Sequence, residues 1–221
     1  MSDFRTLTKL DIPHIECPAL NVLAVLAAES AFSFGLALAG GAVRNVALGL
    51  DRPTDHDIIV FDFDPDAYQH GLFDDVCRTL ADAGYDLVQV DDDEEYADAR
   101  VAAVAQFRHD VYPEVDVLFH PCDSTLQHVL AKHDYNINNY VVVVDDICDS
   151  ERQTAYFVGP NPQGVLIRQP WQESIGFDRQ AHVVAIADAA GWAVPPRFRN
   201  SGSSHPDKYQ TALLNVVDDF E

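Results

Sequence analysis

The sequence predicts an α+β fold: a mixed sheet with helices packed on one face, followed by a short helical extension. Three observations lead there. The expected elements run helix, strand, helix, strand and then become rich in strands. No Gly-x-Gly-x-x-Gly follows the first expected strand, where a doubly wound nucleotide fold would place it. Two carboxylates one residue apart, Asp55 and Asp57, open the second expected strand instead.

From Pro18 to about Phe34, apolar residues recur at helical spacing, with Pro18 suited to a first helical turn. Gly35 to Ala39 reads as a short buried strand, ended by the pair Gly40-Gly41. Ala42 to Leu48 is a second helix, stopped by Gly49 and followed by a turn at Asp51-Arg52-Pro53-Thr54. Asp57 to Phe61 is a strong strand. A helix within Pro65–Gly84 carries Leu72, Phe73, Val76 and Leu80 on its apolar side, and Asp86 to Val90 forms a strand ended by the acidic run Asp91–Glu95. Arg100–Phe107 and Val115–Phe119 read as paired strands. Ser124 can cap a helix running toward Lys132. Val141–Val144 is fully apolar, so periodicity does not separate strand from buried helix. Thr154–Val158 is a further strand, and Phe177–Ala190 a last helix.

A chain of 221 residues suits one packed domain, or one domain with a small appendage. The composition change at Gly159-Pro160-Asn161-Pro162-Gln163-Gly164 divides a main domain, residues 1–160, from an extension, residues 161–221, that includes a flexible polar stretch at Asn200–Asp207. No apolar run approaches the roughly 20 residues needed to cross a membrane, and Met1–Arg5 lacks the blocks of a signal peptide. The scattered Cys17, Cys77, Cys122 and Cys148 form neither a CxxC pair nor a disulfide framework, so a reducing cytoplasm is expected and zinc is not. The formal charge is -22, with lysine only at positions 9, 132 and 208. A field of that sign repels phosphate backbones and argues against a broad grip on nucleic acid.

The candidate chemistry sits where the glycine pair meets the acidic pair. Alternation along a strand points Asp55 and Asp57 the same way and reverses His56 behind them. Two such carboxylates can bridge magnesium ions, which take oxygen ligands and share them with substrate phosphates. Asp116, flanked by strand-forming residues in Glu114-Val115-Asp116-Val117-Leu118-Phe119, is the expected third carboxylate, with Glu114 in reserve. Gly40 and Gly41 let backbone N–H groups approach phosphate at the start of a helix, and Arg44 lies one turn inward, within bidentate reach. A glycine pair alone is usually a turn, and an Asp-x-Asp alone a solvated strand end. Their conjunction with Asp116 is what points to nucleotide transfer. His109, His120, His128 and His133 fit no tight ligand spacing, and Trp171 and Trp192 read as core cover.

Gly40-Gly41-Ala42-Val43-Arg44-Asn45, then Leu48-Gly49, then Asp55-His56-Asp57-Ile58, resembles the head-domain signature of CCA-adding enzymes and bacterial poly(A) polymerases, within the polymerase-beta-like nucleotidyltransferases. Lys132-His133-Asp134-Tyr135-Asn136-Ile137-Asn138 resembles the family's Arg-Arg-Asp-Phe-Thr-Ile-Asn block, so the resemblance spans about residues 20–160. It implies a polymerase-beta-like head that moves a nucleoside monophosphate from an NTP to a hydroxyl and releases pyrophosphate. By that resemblance Gly40, Gly41 and Arg44 hold triphosphate, and Asp55 and Asp57 hold Mg²⁺. Lys132, Asp134 and Asn138 shape the nucleotide or acceptor side.

The departures bear on the acceptor. Asn45 stands where the family has aspartate, Lys132-His133 replaces two arginines, and no Glu-Asp-x-x-Arg motif follows the head. A head with a short addition is expected rather than a complete CCA-adding enzyme. An RNA 3′ end is slightly favoured as acceptor by the Lys132–Asn138 block, whereas the acidity favours a small molecule or a protein. A non-catalytic nucleotide-binding module of the same fold is the alternative.

Overall fold

The computed structural model describes residues 7–51, 55–91, 101–121, 125–131, 133–144, 152–158, 164–169 and 175–199. Lys132, Ser124, Cys122, Cys148, Trp171, residues 92–95, 159–163 and 200–207, and the N-terminal pentapeptide lie outside them. In chain order the elements are β1 (Leu7–Pro13), α1 (Pro18–Glu29), β2 (Gly35–Ala39), α2 (Gly40–Ala47), β3 (Asp55–Phe63), α3 (Pro65–Ala67), α4 (Phe73–Asp82) and β4 (Asp86–Asp91). There follow β5 (Ala103–Arg108), β6 (Glu114–Pro121), α5 (Leu126–Leu130), β7 (Tyr140–Val143), β8 (Arg152–Val158), α6 (Phe177–Ala189) and α7 (Pro196–Arg199).

The strands form one eight-stranded sheet in the order β1-β8-β7-β2-β3-β6-β5-β4. Neighbours are antiparallel except β3 and β6, which run parallel. That parallel pair follows from the chain path: α3, α4 and the β4–β5 hairpin intervene and return β6 alongside β3 in the same direction. The mixed α+β architecture agrees with the sequence reading.

The two faces of the sheet differ. His56, Ile58 and Val60 of β3 face the main core, where Leu20 and Leu23 of α1, Ala42 and Val43 of α2, and Val76 and Leu80 of α4 are buried. Ile59, Ala37, Ala39 and Val141 face the other way and form a smaller apolar cluster with Val129 and Leu130 of α5. Asp55 and Asp57 share the parity of Ile59 and so stand on this second face. Beyond position 160, Leu166, Val183, Ala187 and Trp192 are buried in the main core, and Trp192 packs against Tyr140 and Phe157.

Several boundaries move from the sequence reading. α1 ends at Glu29 rather than near Phe34, because Ser30 turns to an extended backbone and its hydroxyl accepts the Phe32 N–H at 3.0 Å. α2 begins at Gly40, so the glycine pair forms the first turn of the helix instead of preceding it. β3 begins at Asp55 and runs to Phe63. The helical stretch after Pro65 bends at Gly71, whose φ of 117° only glycine adopts readily. Thr125, not Ser124, caps α5, its hydroxyl accepting the His128 N–H at 3.4 Å. Val141 proves to be in a strand because β7 lies inside the sheet, between β8 and β2. β1 was not expected at all: it is an edge strand whose partner β8 lies far along the chain.

Candidate active site

A cleft of about 530 Å³ opens on the second face of the sheet. Gly40, Gly41, Arg44, Asp55, Asp57, Asp134 and Asn138 all line it. Seven residues expected from sequence therefore converge on one cavity. Asp116 does not line the cleft but is the register partner of Asp57 across the β3–β6 pair, as Glu114 is of Asp55. Lys132 lies outside the described residues.

The acidic wall is made by β3 and β6. Burial pushes the Asp57 carboxyl up to about 7, and the negative charges of Asp55 and Asp116 push the same way. The Gly41 N–H, at the positive end of α2, hydrogen-bonds Asp57 and partly offsets this. The N–H group expected to face phosphate is thus engaged with the carboxylate beside it. Burial, Asp55 and Glu114 raise the Asp116 carboxyl above its ordinary range as well. Glu114 itself is drawn off by Arg108, whose Nε donates to it at 2.8 Å. Gly40 sits at φ 64°, and a Cβ there would collide with the Asp57 carboxylate. Only glycine lets α2 start this close to the acidic strand.

The opposite wall is a connected set of hydrogen bonds. Arg44 is 7% exposed; its Nη1 donates to Asn138 Oδ1 at 2.6 Å and its Nε to Asn45 Oδ1 at 2.9 Å. Asn138 Nδ2 donates to Asp134 Oδ1 at 2.8 Å, and that same oxygen accepts the Tyr135 N–H at 2.9 Å. Arg179 Nε donates to Asp134 Oδ2 at 2.6 Å. Burial opposes the charge on Asp134, yet Arg179, Asn138 and the Tyr135 N–H together hold its carboxyl below the usual range. Burial, with the nearby positive charge of Arg179, lowers the Arg44 guanidinium, while Asp55, Asp57 and Asp134 act against that. Burial likewise keeps the His133 ring neutral, and its Nδ1 donates to the Asn138 carbonyl at 2.9 Å.

Arg179 and His182 are cleft residues that the sequence reading missed. Their spacing of three places both on one face of α6, behind Gly176, which also borders the cleft. That local signal was present in the sequence. What could not be read was that α6 returns to border the cleft that β3 also lines.

Among the described residues, no three His, Cys, Asp or Glu side chains converge tightly enough to form a metal site by themselves. The donor chemistry nevertheless suits a hard divalent cation. Asp55, Asp57 and Asp116 offer only oxygen, and no arginine or lysine among the described residues forms an ion pair with them.

Solved structures of CCA-adding enzymes align with this chain. An apo form matches 91% of this chain and 42% of its own length, at 13% identity and a TM-score of 0.50. A complex with CTP matches 83% of this chain and 40% of its own, at 15% identity and a TM-score of 0.50. The fold is the polymerase-beta-like α+β fold of the matched part of these structures. The chain spans about two-fifths of the length of the CCA-adding enzyme structures it matches. A third structure, the CCA-adding enzyme of Thermotoga maritima complexed with tRNA, matches 84% of this chain and 41% of its own at 15% identity and a TM-score of 0.49. No family model and no curated protein matches the sequence.

Proposed function

We propose that the protein is a nucleotidyltransferase that moves a nucleoside monophosphate from an NTP to a hydroxyl and releases pyrophosphate. The observation that carries this reading is one cleft bordered by Asp55 and Asp57 on one side and by Gly40, Gly41 and Arg44 on the other. Asp55, Asp57 and Asp116 are the residues that would hold Mg²⁺. Asp116 is preferred to Glu114 because it partners Asp57 in register while Glu114 is committed to Arg108. When bound, the metal supplies neutralisation of the phosphates and activation of the attacking hydroxyl.

The chain's own residues do the positioning. Arg44, buried and held by two amide oxygens, directs a fixed cation toward the cleft where a triphosphate would lie. Arg179, held by Asp134, supplies a second cation from α6. Burial and the neighbouring carboxylates raise the Asp57 carboxyl to about 7, so cation binding would compete with a proton there.

An RNA 3′ end is the acceptor favoured by the block that includes Lys132, Asp134 and Asn138. A specific observation favours a compact acceptor, either a small molecule or a protein side chain. Outside the cleft, Arg78, Arg108, Arg152 and Arg199 are each paired with a carboxylate, which reduces the positive charge offered to a phosphate backbone. Incubation with labelled NTPs, Mg²⁺ and a panel of RNA, polyol and protein acceptors tests both. Transfer to a hydroxyl that Asp55→Ala and Asp57→Ala abolish is expected, and transfer unchanged by either substitution would sink the assigned site. Nucleotide binding without turnover across the panel would favour the non-catalytic module instead.

A further inference from the structure

We propose that Asn45 is a positioning residue for Arg44, turning the arginine from a generic buried cation into an oriented ligand for the nucleotide's triphosphate. This rests on the nucleotidyltransferase reading above. The geometry is specific. Adjacent residues on a helix point roughly 100° apart and do not ordinarily meet. Here the Arg44 side chain lies back along α2, so that its Nε donates to Asn45 Oδ1 at 2.9 Å. Asn138 Oδ1 takes Nη1 at 2.6 Å. Two acceptors at two different nitrogens fix both the plane and the rotation of a rigid guanidinium.

The remaining terminal nitrogen, Nη2, then lies beside Gly41, where a Cβ would be 3.5 Å from it. Gly41 and Arg44 both border the cleft, and Asn45 does not. Asn45 therefore acts through Arg44 rather than by touching a ligand. Both oxygens are uncharged, so they orient the guanidinium without cancelling its charge. Among the described residues, no carboxylate forms an ion pair with Arg44. An incoming phosphate can meet that charge.

Asn45 is itself held. Its Nδ2 donates to the Asp51 carbonyl at 2.9 Å, and its own carbonyl accepts the Leu50 N–H at 2.8 Å. A residue that only stapled this turn would use the amide nitrogen alone. Here the oxygen is spent on Arg44, and the two halves of one amide do separable jobs.

That separation gives the test, made on the full chain with Asn45→Ala and Asn45→Asp. Aspartate keeps an oxygen for Arg44 Nε but loses the donor to Asp51, whereas alanine loses both. Binding of ATP with Mg²⁺ is measured by calorimetry, thermal stability by melting, and the Arg44 Nε–H by ¹H–¹⁵N NMR. Asn45→Ala is expected to weaken ATP binding about tenfold, the scale of one hydrogen bond to a charged group. Asn45→Asp keeps an oxygen on Arg44 Nε but sets a carboxylate against the guanidinium, so its readout is the Arg44 Nε–H resonance, which should not move to the alanine-variant position, while its melting temperature falls comparably to that of the alanine variant. The Arg44 Nε–H resonance should shift in the alanine variant.

An Arg44 Nε–H resonance left unmoved in Asn45→Ala would overturn the proposal, because the amide oxygen would then not be what holds the arginine. Unchanged affinity in Asn45→Ala would overturn it too. A wild-type chain that binds no nucleotide would remove the nucleotidyltransferase reading and this proposal together. Wild-type binding that Asn45→Ala leaves unchanged would remove this proposal alone.

Discussion

The cleft has two walls built on opposite principles. On the acidic wall, Asp55, Asp57 and Asp116 stand on two neighbouring strands and repel one another, with the Gly41 N–H giving Asp57 a partial offset. On the other wall, each charged group is met by a hydrogen-bond partner: Arg179 by Asp134, Asp134 by Asn138, and Arg44 by Asn138 and Asn45. The acidic wall is a strained arrangement that a bound cation would relieve. The arginine–amide wall is preorganised and needs no ligand to hold its shape. Function and stability should therefore oppose each other on the first wall and run together on the second.

The largest expected effect comes from breaking the acidic wall. Asp57→Asn should reduce nucleotidyl transfer on the order of 1,000-fold, the loss of several kcal/mol of metal-dependent stabilisation. The same variant should melt higher than wild type at pH 8, since a neutral amide replaces a buried carboxylate that its neighbours repel. A melting temperature that fell with activity would dissolve the contrast between the walls.

Next in size is the junction where the walls meet. Gly40→Ala forces a side chain into the left-handed region, at about 1–2 kcal/mol, and drives a methyl group onto Asp57. Chemical denaturation should show at least that loss, and NTP binding should weaken with it because α2 and β3 move apart. Wild-type stability and affinity in this variant would show that the close approach of Gly40 to Asp57 is unimportant.

Arg179→Ala sharpens the comparison from the preorganised side. Its partner Asp134 is largely buried while Arg179 is half exposed, so the ion pair contributes at most about 1 kcal/mol after solvent screening. NTP affinity, measured by calorimetry, should fall about tenfold, as for one lost charge-assisted contact. A stability loss with no change in affinity would make Arg179 a strut for Asp134 and nothing more.

The last comparison is in pH. The folded Asp57 carboxyl titrates near 7, above its ordinary value of 3.8. Between those values the folded chain holds a proton that the unfolded chain has released, so this group's contribution to stability falls as pH rises from about 4 to 7. Melting curves across pH 5 to 8 should show a component of that slope in wild type that Asp57→Asn lacks. Equal slopes would mean that Asp57 is not the group titrating there.

How much of this was legible in the sequence follows the same division. Gly40, Gly41, Asp55 and Asp57 lie close along the chain, and strand alternation alone aligned the carboxylates. Asp116 could be picked because a carboxylate inside an apolar strand demands a reason, and the structure places it in register with Asp57 though outside the cleft lining. The other wall was partly legible, through the Lys132–Asn138 block, but its connections were not. Arg44 meets Asn138 across 94 residues, and Asp134 meets Arg179 across 45. Asn45 read as a departure from a motif, while the structure gives it two hydrogen bonds and a place behind Arg44. β1 escaped for a similar reason, since its pairing partner lies at the far end of the domain.

The sequence by itself determined the α+β class, the acidic strand entrance and the glycine start of α2, because periodicity and backbone freedom are local properties. Only the tertiary structure decided that α6 returns to the cleft, that Glu114 is claimed by Arg108, and that Gly41 turns its N–H onto Asp57. Those outcomes depend on which distant groups come within hydrogen-bond distance once the sheet closes. A hydrogen bond falls off within an ångström or so of its optimum, so it is set by packing that no local pattern encodes.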